Sequence, residues 1–233
     1  MNKQKRIQVL TLGLVLVSGA ADAGLFSKKK APPPPPPIPL EFSGIKTAAP
    51  TNASLDRLQA ASPHATPRAR RMLASAPPLP QQPPALGVVL HGCGQTAAAY
   101  DLGAGWSTLA KHYGFALLMP EQQRANNANT CFNWFNPDDV ARDKGEAASI
   151  RRMIDKMAYD HRINPRRIYI TGLSAGAAMS MAMLANYPEV FAAGAVIAGL
   201  PFGIAGNVRE ALTGMMSSSP RPARDLGDLV RGA

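Results

Sequence analysis

The five residues Gly172-Leu173-Ser174-Ala175-Gly176 carry the strongest chemical signal in the chain. A serine between two glycines suits acyl transfer when it stands at a sharp turn between a strand and a helix. The turn pushes the hydroxyl outward, and the glycines remove side chains that would collide with neighbouring backbone. The helix that follows offers unpaired N–H groups and the positive end of its dipole to a developing oxyanion. Ser174 is therefore the candidate nucleophile, and the Ala175 N–H is a candidate oxyanion donor. A second block, His91-Gly92-Cys93-Gly94-Gln95, has the composition of a loop whose backbone can approach a substrate carbonyl closely. The other oxyanion donor is expected at Cys93 or Gly94. His91 is expected to orient this loop by hydrogen bonds rather than to act as acid or base. A thiol nucleophile at Cys93 is the weaker reading, because Ser174 already occupies the turn.

A serine hydroxyl ordinarily works with an imidazole that takes its proton and an acid that holds the imidazole. The four histidines, His64, His91, His112 and His161, all precede Ser174. The acids after Ser174 are Glu189, Glu210, Asp225 and Asp228. His112 and His161 each precede a predicted strand, which places them at the sheet edge opposite Ser174. No residue pattern suggests a metal site or a cofactor.

These residues need a frame. Leu86–Leu90 reads as a buried strand that ends in a glycine-rich turn. Tyr100–Tyr113 reads as a helix, and Phe115–Met119 as a second strand stopped by Pro120. Residues 121–137 form a polar loop that contains Cys131, Trp134 and Phe135. Ala147, Ile150, Met153, Ile154 and Met157 recur at helical spacing, which predicts an amphipathic helix over Asp143–Asp160. Arg167–Thr171 and Phe191–Ala198 read as strands. Ala175–Asn186 and Val208–Met216 read as helices. Strands alternating with helices imply a mostly parallel sheet with helices on both faces.

Composition divides the chain at residue 85. Residues 24–84 hold 15 of its 22 prolines, including the run Pro32–Pro37, and read as a largely disordered, basic linker. A short helix near Ser54–Ala60 is the one element expected there. The net charge is +10 overall, but residues 85–233 hold 14 Lys/Arg against 12 Asp/Glu, a net of +2. The basic excess lies outside the globular part, so nucleic-acid binding is not expected. Lys3, Lys5 and Arg6, the apolar stretch Ile7–Val17 and the Ala21-Asp22-Ala23 sequence predict an export leader over residues 1–23, cleaved before Gly24. The apolar stretch is shorter than the ~20 residues that span a bilayer, so no stable membrane anchor is expected. Two cysteines, Cys93 and Cys131, remain in the globular part. In an exported protein such a pair is expected to form a disulfide. A bridge between loops at the C-terminal ends of neighbouring strands would pin the oxyanion loop.

Four separated blocks carry a family resemblance: Leu90–Gln95, Cys131-Phe132-Asn133-Trp134-Phe135, Thr171–Met179, and Tyr187-Pro188-Glu189 with Gly199-Leu200-Pro201. Together they resemble the polyhydroxybutyrate depolymerase family of secreted esterases, over roughly residues 86–233. The resemblance implies an α/β-hydrolase fold and no cofactor. It also implies hydrolysis of esters, in aliphatic polyesters or carbohydrate-linked acyl groups, through an acyl-enzyme on Ser174. Trp134 and Phe135, with His91, would line the substrate cleft, although the two aromatics suit a core equally well. The chain departs from the family in two places. The family has a strand pair before Leu86, where Pro77–Pro84 stands here. It also places an Asp and a His after the nucleophile, and this chain ends about where the acid-bearing strand is expected to begin. An incomplete α/β-hydrolase with an uncovered apolar edge on Phe191–Ala198 is the expected result.

Overall fold

The computed structural model describes residues 9–11, 56–59, 71–76, 82–217 and 221–233. Seven strands form one sheet: β1 (Val9–Thr11), β2 (Asp56–Gln59), β3 (Arg71–Ser75), β4 (Leu86–Leu90), β5 (Ala116–Glu121), β6 (Ile168–Leu173) and β7 (Ala193–Ile197). Their spatial order is β1-β7-β6-β4-β5-β3-β2. Strands β4 to β7 run parallel, β1 joins β7 in parallel, and β3 is antiparallel to β5. The expected mostly parallel sheet is therefore present.

Side-chain parity explains the layers. Leu86, Val88 and Leu90 of β4 point into a core shared with α4 (Gly145–Asp160) and α5 (Ala175–Asn186). Val89 points the other way, into a second core with α1 (Ala97–Ala104) and α2 (Trp106–Tyr113). β4 and β5 thus bury both faces, which is why these segments read as continuous apolar runs. The predicted helix over Tyr100–Tyr113 is in fact two helices. Gly105, at φ 74°, ends α1 and opens α2. A four-residue helix α3 (Pro137–Val140) precedes α4, and α6 (Val208–Met216) and α7 (Ala223–Arg231) follow β7.

Two expectations for residues 24–84 are corrected. Asp56–Gln59 is a strand, not a helix, and it pairs antiparallel with β3. A strand pair therefore does precede Leu86, further upstream than Pro77–Pro84. Met72 and Ala74 alternate inward at 1% and 3% exposure, and this burial decides a five-residue strand that composition obscures. The run Pro32–Pro37 and the Ala21–Ala23 sequence lie outside the described residues. β5 also continues through Pro120 rather than stopping before it. Its ladder with β4 ends at Leu118, so Pro120 is paired only with β3, and a residue without an N–H is tolerated on such a half-open strand.

The edge of β7 differs from expectation too. Val9, Leu10 and Thr11 pair with Gly194, Ala195 and Val196, so part of the apolar leader stretch covers it. An apolar edge with no charged residue is a template for any extended segment within reach. Ile197, one residue beyond that pairing, is 45% exposed.

Candidate active site

The chain order reverses at β4, which has β5 on one side and β6 on the other. In open parallel sheets such a reversal leaves a crevice at the strands' C-terminal ends. Leu90 pairs with Gly172, so the loops that leave β4 and β6 emerge side by side. These loops carry the two blocks singled out in the sequence.

β6 ends at Leu173 and α5 starts at Ala175, leaving one residue for the reversal. Ser174 makes it with φ 53° and ψ −116°, a strained conformation that side chains seldom adopt. Its N–H is anchored on the Ile197 carbonyl at 2.9 Å, and its carbonyl accepts from the Ala178 N–H at 3.0 Å. A Cβ on Gly172 would lie 2.4 Å from the Gly176 carbonyl carbon. A Cβ on Gly176 would lie 2.3 Å from the Leu90 carbonyl oxygen. The turn closes on itself and on β4, and only glycine fits at either position.

The loop after β4 is held from three directions. The His91 ring is fully buried. Its Nε2 accepts from the Gln122 N–H at 3.0 Å, so Nδ1 carries the hydrogen and donates to the Gly92 carbonyl at 2.7 Å. The Gly92 N–H donates to Gln95 Oε1 at 2.8 Å, and the Gly94 N–H donates to the Asn129 carbonyl at 2.8 Å. Cys93 and Cys131 form a disulfide with Cα atoms 4.2 Å apart. Gly94 is thereby removed as an oxyanion donor, since its N–H already has an acceptor. Among the described residues the Cys93 N–H has no acceptor, and neither does the Ala175 N–H in the first turn of α5. A Cβ on Gly92 would stand 3.7 Å from the Ser174 Cβ, so the loop passes directly beside the serine.

The disulfide closes a loop across 38 residues. Chain entropy values such a closure at about 3–4 kcal/mol. Cys131→Ala is expected to lower the stability of the oxidised protein by about that much, read by urea unfolding. An unchanged midpoint would show that loop closure contributes nothing here.

A family description, esterase PHB depolymerase, matches residues 74–228. This chain belongs to that family. It is 50% identical over 147 residues to poly(3-hydroxyalkanoate) depolymerase C of Paucimonas lemoignei, covering 63% of this chain and 35% of the relative. It is 36% identical over 121 residues to acetylxylan esterase A of Emericella nidulans, covering 52% of this chain and 39% of the relative. The chain therefore spans between a third and two-fifths of the length of these relatives. Among solved structures, an acetyl xylan esterase from Aspergillus awamori superposes with a TM-score of 0.59 at 25% identity, over 66% of this chain and 55% of the other. These relatives are carboxylic ester hydrolases, and the fold is that of the α/β-hydrolases.

Within this PHB-depolymerase-type chain, no described imidazole faces Ser174. His91 is enclosed, with both ring nitrogens bonded within its own and the adjacent loop. His112 lies in the last turn of α2 and His161 follows α4, both at the N-terminal edge of the strands they precede. His64 lies outside the described residues. Three of the four downstream acids are engaged elsewhere, and Asp225 lies in the first turn of α7. Glu189 accepts from Arg142 at 2.6 Å, and this bond holds its carboxyl below the usual range. The same guanidinium lies 4.8 Å from the ring centroid of Tyr187, which explains the Tyr187-Pro188-Glu189 block as a clasp between α5 and the α3–α4 turn. Glu210, in the first turn of α6 behind its cap Asn207, accepts from the Gly206 N–H, which lowers its pKa, and Asp228 pairs with Arg231.

The expected cleft residues separate. His91 has no exposure and Trp134 only 8%, so both belong to the interior rather than to a cleft. Trp134 stacks edge-on against Phe135 with ring centroids 5.7 Å apart. Phe135 alone of the three lines an open groove of about 360 Å³, with Asn126, Asn133, Asn136, Gly206, Asn207 and Val208. The sequence reading missed Gln122, Asn133 and Glu146, all buried, with Gln122 and Asn133 of the loop after β5 both donating to the Glu146 carboxylate. Their one sequence signal was an acid at the start of an amphipathic helix, which is more often a solvated N-terminal charge.

Proposed function

We propose that this chain is an exported serine esterase of the polyhydroxybutyrate depolymerase type. Ser174 would be its nucleophile, and the Cys93 and Ala175 N–H groups would be its oxyanion donors. The observation that carries this reading is the strained backbone of Ser174 between β6 and α5, beside two N–H groups that have no acceptor among the described residues. The Ser174 Oγ adds to the ester carbonyl as its proton passes to solvent, and the oxyanion formed is held by both donors. The carbonyl carbon–alkoxide bond breaks, the alkoxide takes a proton back from solvent and leaves as the alcohol, the acyl group stays on Oγ, and water later releases it as the acid and restores the hydroxyl. The 50% identity to a poly(3-hydroxyalkanoate) depolymerase supports an aliphatic polyester as the substrate class. Export rests on the leader pattern of residues 1–23 and on the disulfide. Cleavage after Ala23 would release β1 from β7.

A second reading is a chain that acylates but does not turn over, favoured by the lack of an imidazole at Ser174 among the described residues. One experiment addresses both. p-Nitrophenolate leaves without help from an acid, so p-nitrophenyl butyrate should acylate Ser174 even when deacylation is slow. The intact mass should rise by a single butyryl group, mapped to the peptide containing Ser174 and missing in Ser174→Ala. A persistent adduct favours the second reading, and a transient one with continued turnover favours the first. No adduct and no turnover would remove Ser174 as nucleophile.

A further inference from the structure

The loop between β5 and α3 makes few ladder or helix bonds, yet it holds the oxyanion loop at three points. The Asn129 carbonyl accepts from Gly94, Cys131 is bonded to Cys93, and the Gln122 N–H donates to His91. What fixes this loop in turn is a carboxylate. Glu146 has no solvent exposure and sits in the first turn of α4. Its Oε1 accepts from Gln122 Nε2 at 2.6 Å and from Asn133 Nδ2 at 2.9 Å. Its Oε2 accepts from the Asn133 N–H at 2.9 Å. Gln122 Nε2 also donates to the Cys131 carbonyl at 2.9 Å. Glu146 thus grips both ends of the segment that carries Asn129 and Cys131.

We propose that Glu146 is a positioning residue that sets the place of the Cys93 N–H, acting through Gln122, Asn133 and the Cys93–Cys131 bridge. The inference deepens the proposed esterase reading and rests on it for the role of that N–H. A rigid helix supplies one carboxylate for three donors, and its removal would leave the Asn133 N–H without its acceptor and the Gln122 and Asn133 amides with only the Cys131 and Asn126 carbonyls. Phe132 and Trp134 anchor the same loop in the main core. The fold therefore has another hold on the loop, whereas the orientation of the Cys93 N–H depends on the polar net. An oxyanion donor displaced by a fraction of an ångström loses most of its worth, since it is matched to the tetrahedral oxygen.

The chain contains two cysteines, so labelling with heavy-nitrogen cysteine gives two amide resonances, those of Cys93 and Cys131. Butylboronic acid, which adds to a serine Oγ as a tetrahedral boronate, serves as the probe. In the wild-type full chain it should shift the Cys93 resonance. In Glu146→Ala the Cys93 resonance should move or split before any ligand is added, with cooperative melting retained. Boronate affinity should then fall about tenfold or more. Glu146→Gln, which keeps one oxygen acceptor, should recover part of both effects. If Glu146→Ala does not fold, Gln122→Met removes the side-chain bonds to Glu146, Cys131, Gln123 and Asn126 while keeping the backbone donor to His91, and the same shifts are expected. A folded variant whose Cys93 resonance matches wild type overturns the proposal. Absence of a boronate shift in the wild type would instead count against Ser174 as nucleophile, while the unliganded comparison still decides the positioning role.

Discussion

Ester hydrolysis by the 233-residue chain is expected to run roughly 10³–10⁴-fold above water and to rise when imidazole is added to the buffer. The reason is proton transfer. A serine hydroxyl is a weak nucleophile until a base takes its proton, and the described histidines are enclosed or stand at the other edge of the sheet. The two N–H groups proposed as oxyanion donors would stabilise the oxyanion without moving a proton, and donors of that kind sustain the residual catalysis that remains when a triad member is removed. Free imidazole can diffuse to a partly exposed serine and act as the base. Imidazole also cleaves nitrophenyl esters directly. The quantity to measure is therefore the difference in imidazole slope between the wild type and Ser174→Ala. Equal slopes would mean that Ser174 takes no part. A rate that is high without imidazole, and that collapses in His91→Ala, would make His91 the base despite its burial.

Gly176→Ala is expected to cost at least about 4–5 kcal/mol or to prevent folding altogether, read by urea unfolding. The added carbon would lie 2.3 Å from the Leu90 carbonyl oxygen and 2.5 Å from that of His91. Both are backbone atoms of the central strand and the oxyanion loop, so neither can yield without shifting the site. Gly103→Ala provides the control. It is helical, meets nothing within 4 Å, and should stabilise the chain by about 0.5–1 kcal/mol through helix propensity and a less flexible unfolded state. Similar behaviour of the two variants would mean that the close packing of α5 on β4 is wrong. With Cys131→Ala, the two substitutions separate the sources of order at this site: backbone contact on the Ser174 side and a covalent tie on the Cys93 side.

The elements around the site were legible because they are periodic and buried on both faces. β4, β6 and α5 fall within one or two residues of their expected limits, and α6 matches its own. The strands β2 and β3 were not legible. They are four and five residues long, lie among prolines, and exist because β5 offers an antiparallel edge that buries Met72 and Ala74. β3 depends on a partner more than forty residues away, and β2 in turn on β3, so no local window contains the pairing. The break at Gly105 was missed for a different reason, since a glycine within a helical pattern is often tolerated and here instead takes a left-handed φ.

The amino-acid sequence by itself determined the tight Gly-Leu-Ser-Ala-Gly turn proposed for the nucleophile, the glycine-rich loop proposed for the oxyanion, the two cysteines of the bridge and the family to which the chain belongs. The turn and the loop are carried by residue types at short, fixed spacings, and the family by the order of such blocks along the chain. Only the tertiary structure decided which N–H groups are left for an oxyanion. Gly94 and Cys93 are adjacent and equivalent in sequence, but the Asn129 carbonyl, 35 residues on, takes one N–H and leaves the other. The tertiary structure likewise enclosed His91 and Trp134, left Phe135 on a groove, and brought Glu146 under a loop from which it is separated in the chain. Spacing along the chain sets what a residue can do, whereas the acceptors that reach it from distant segments set what remains free to act.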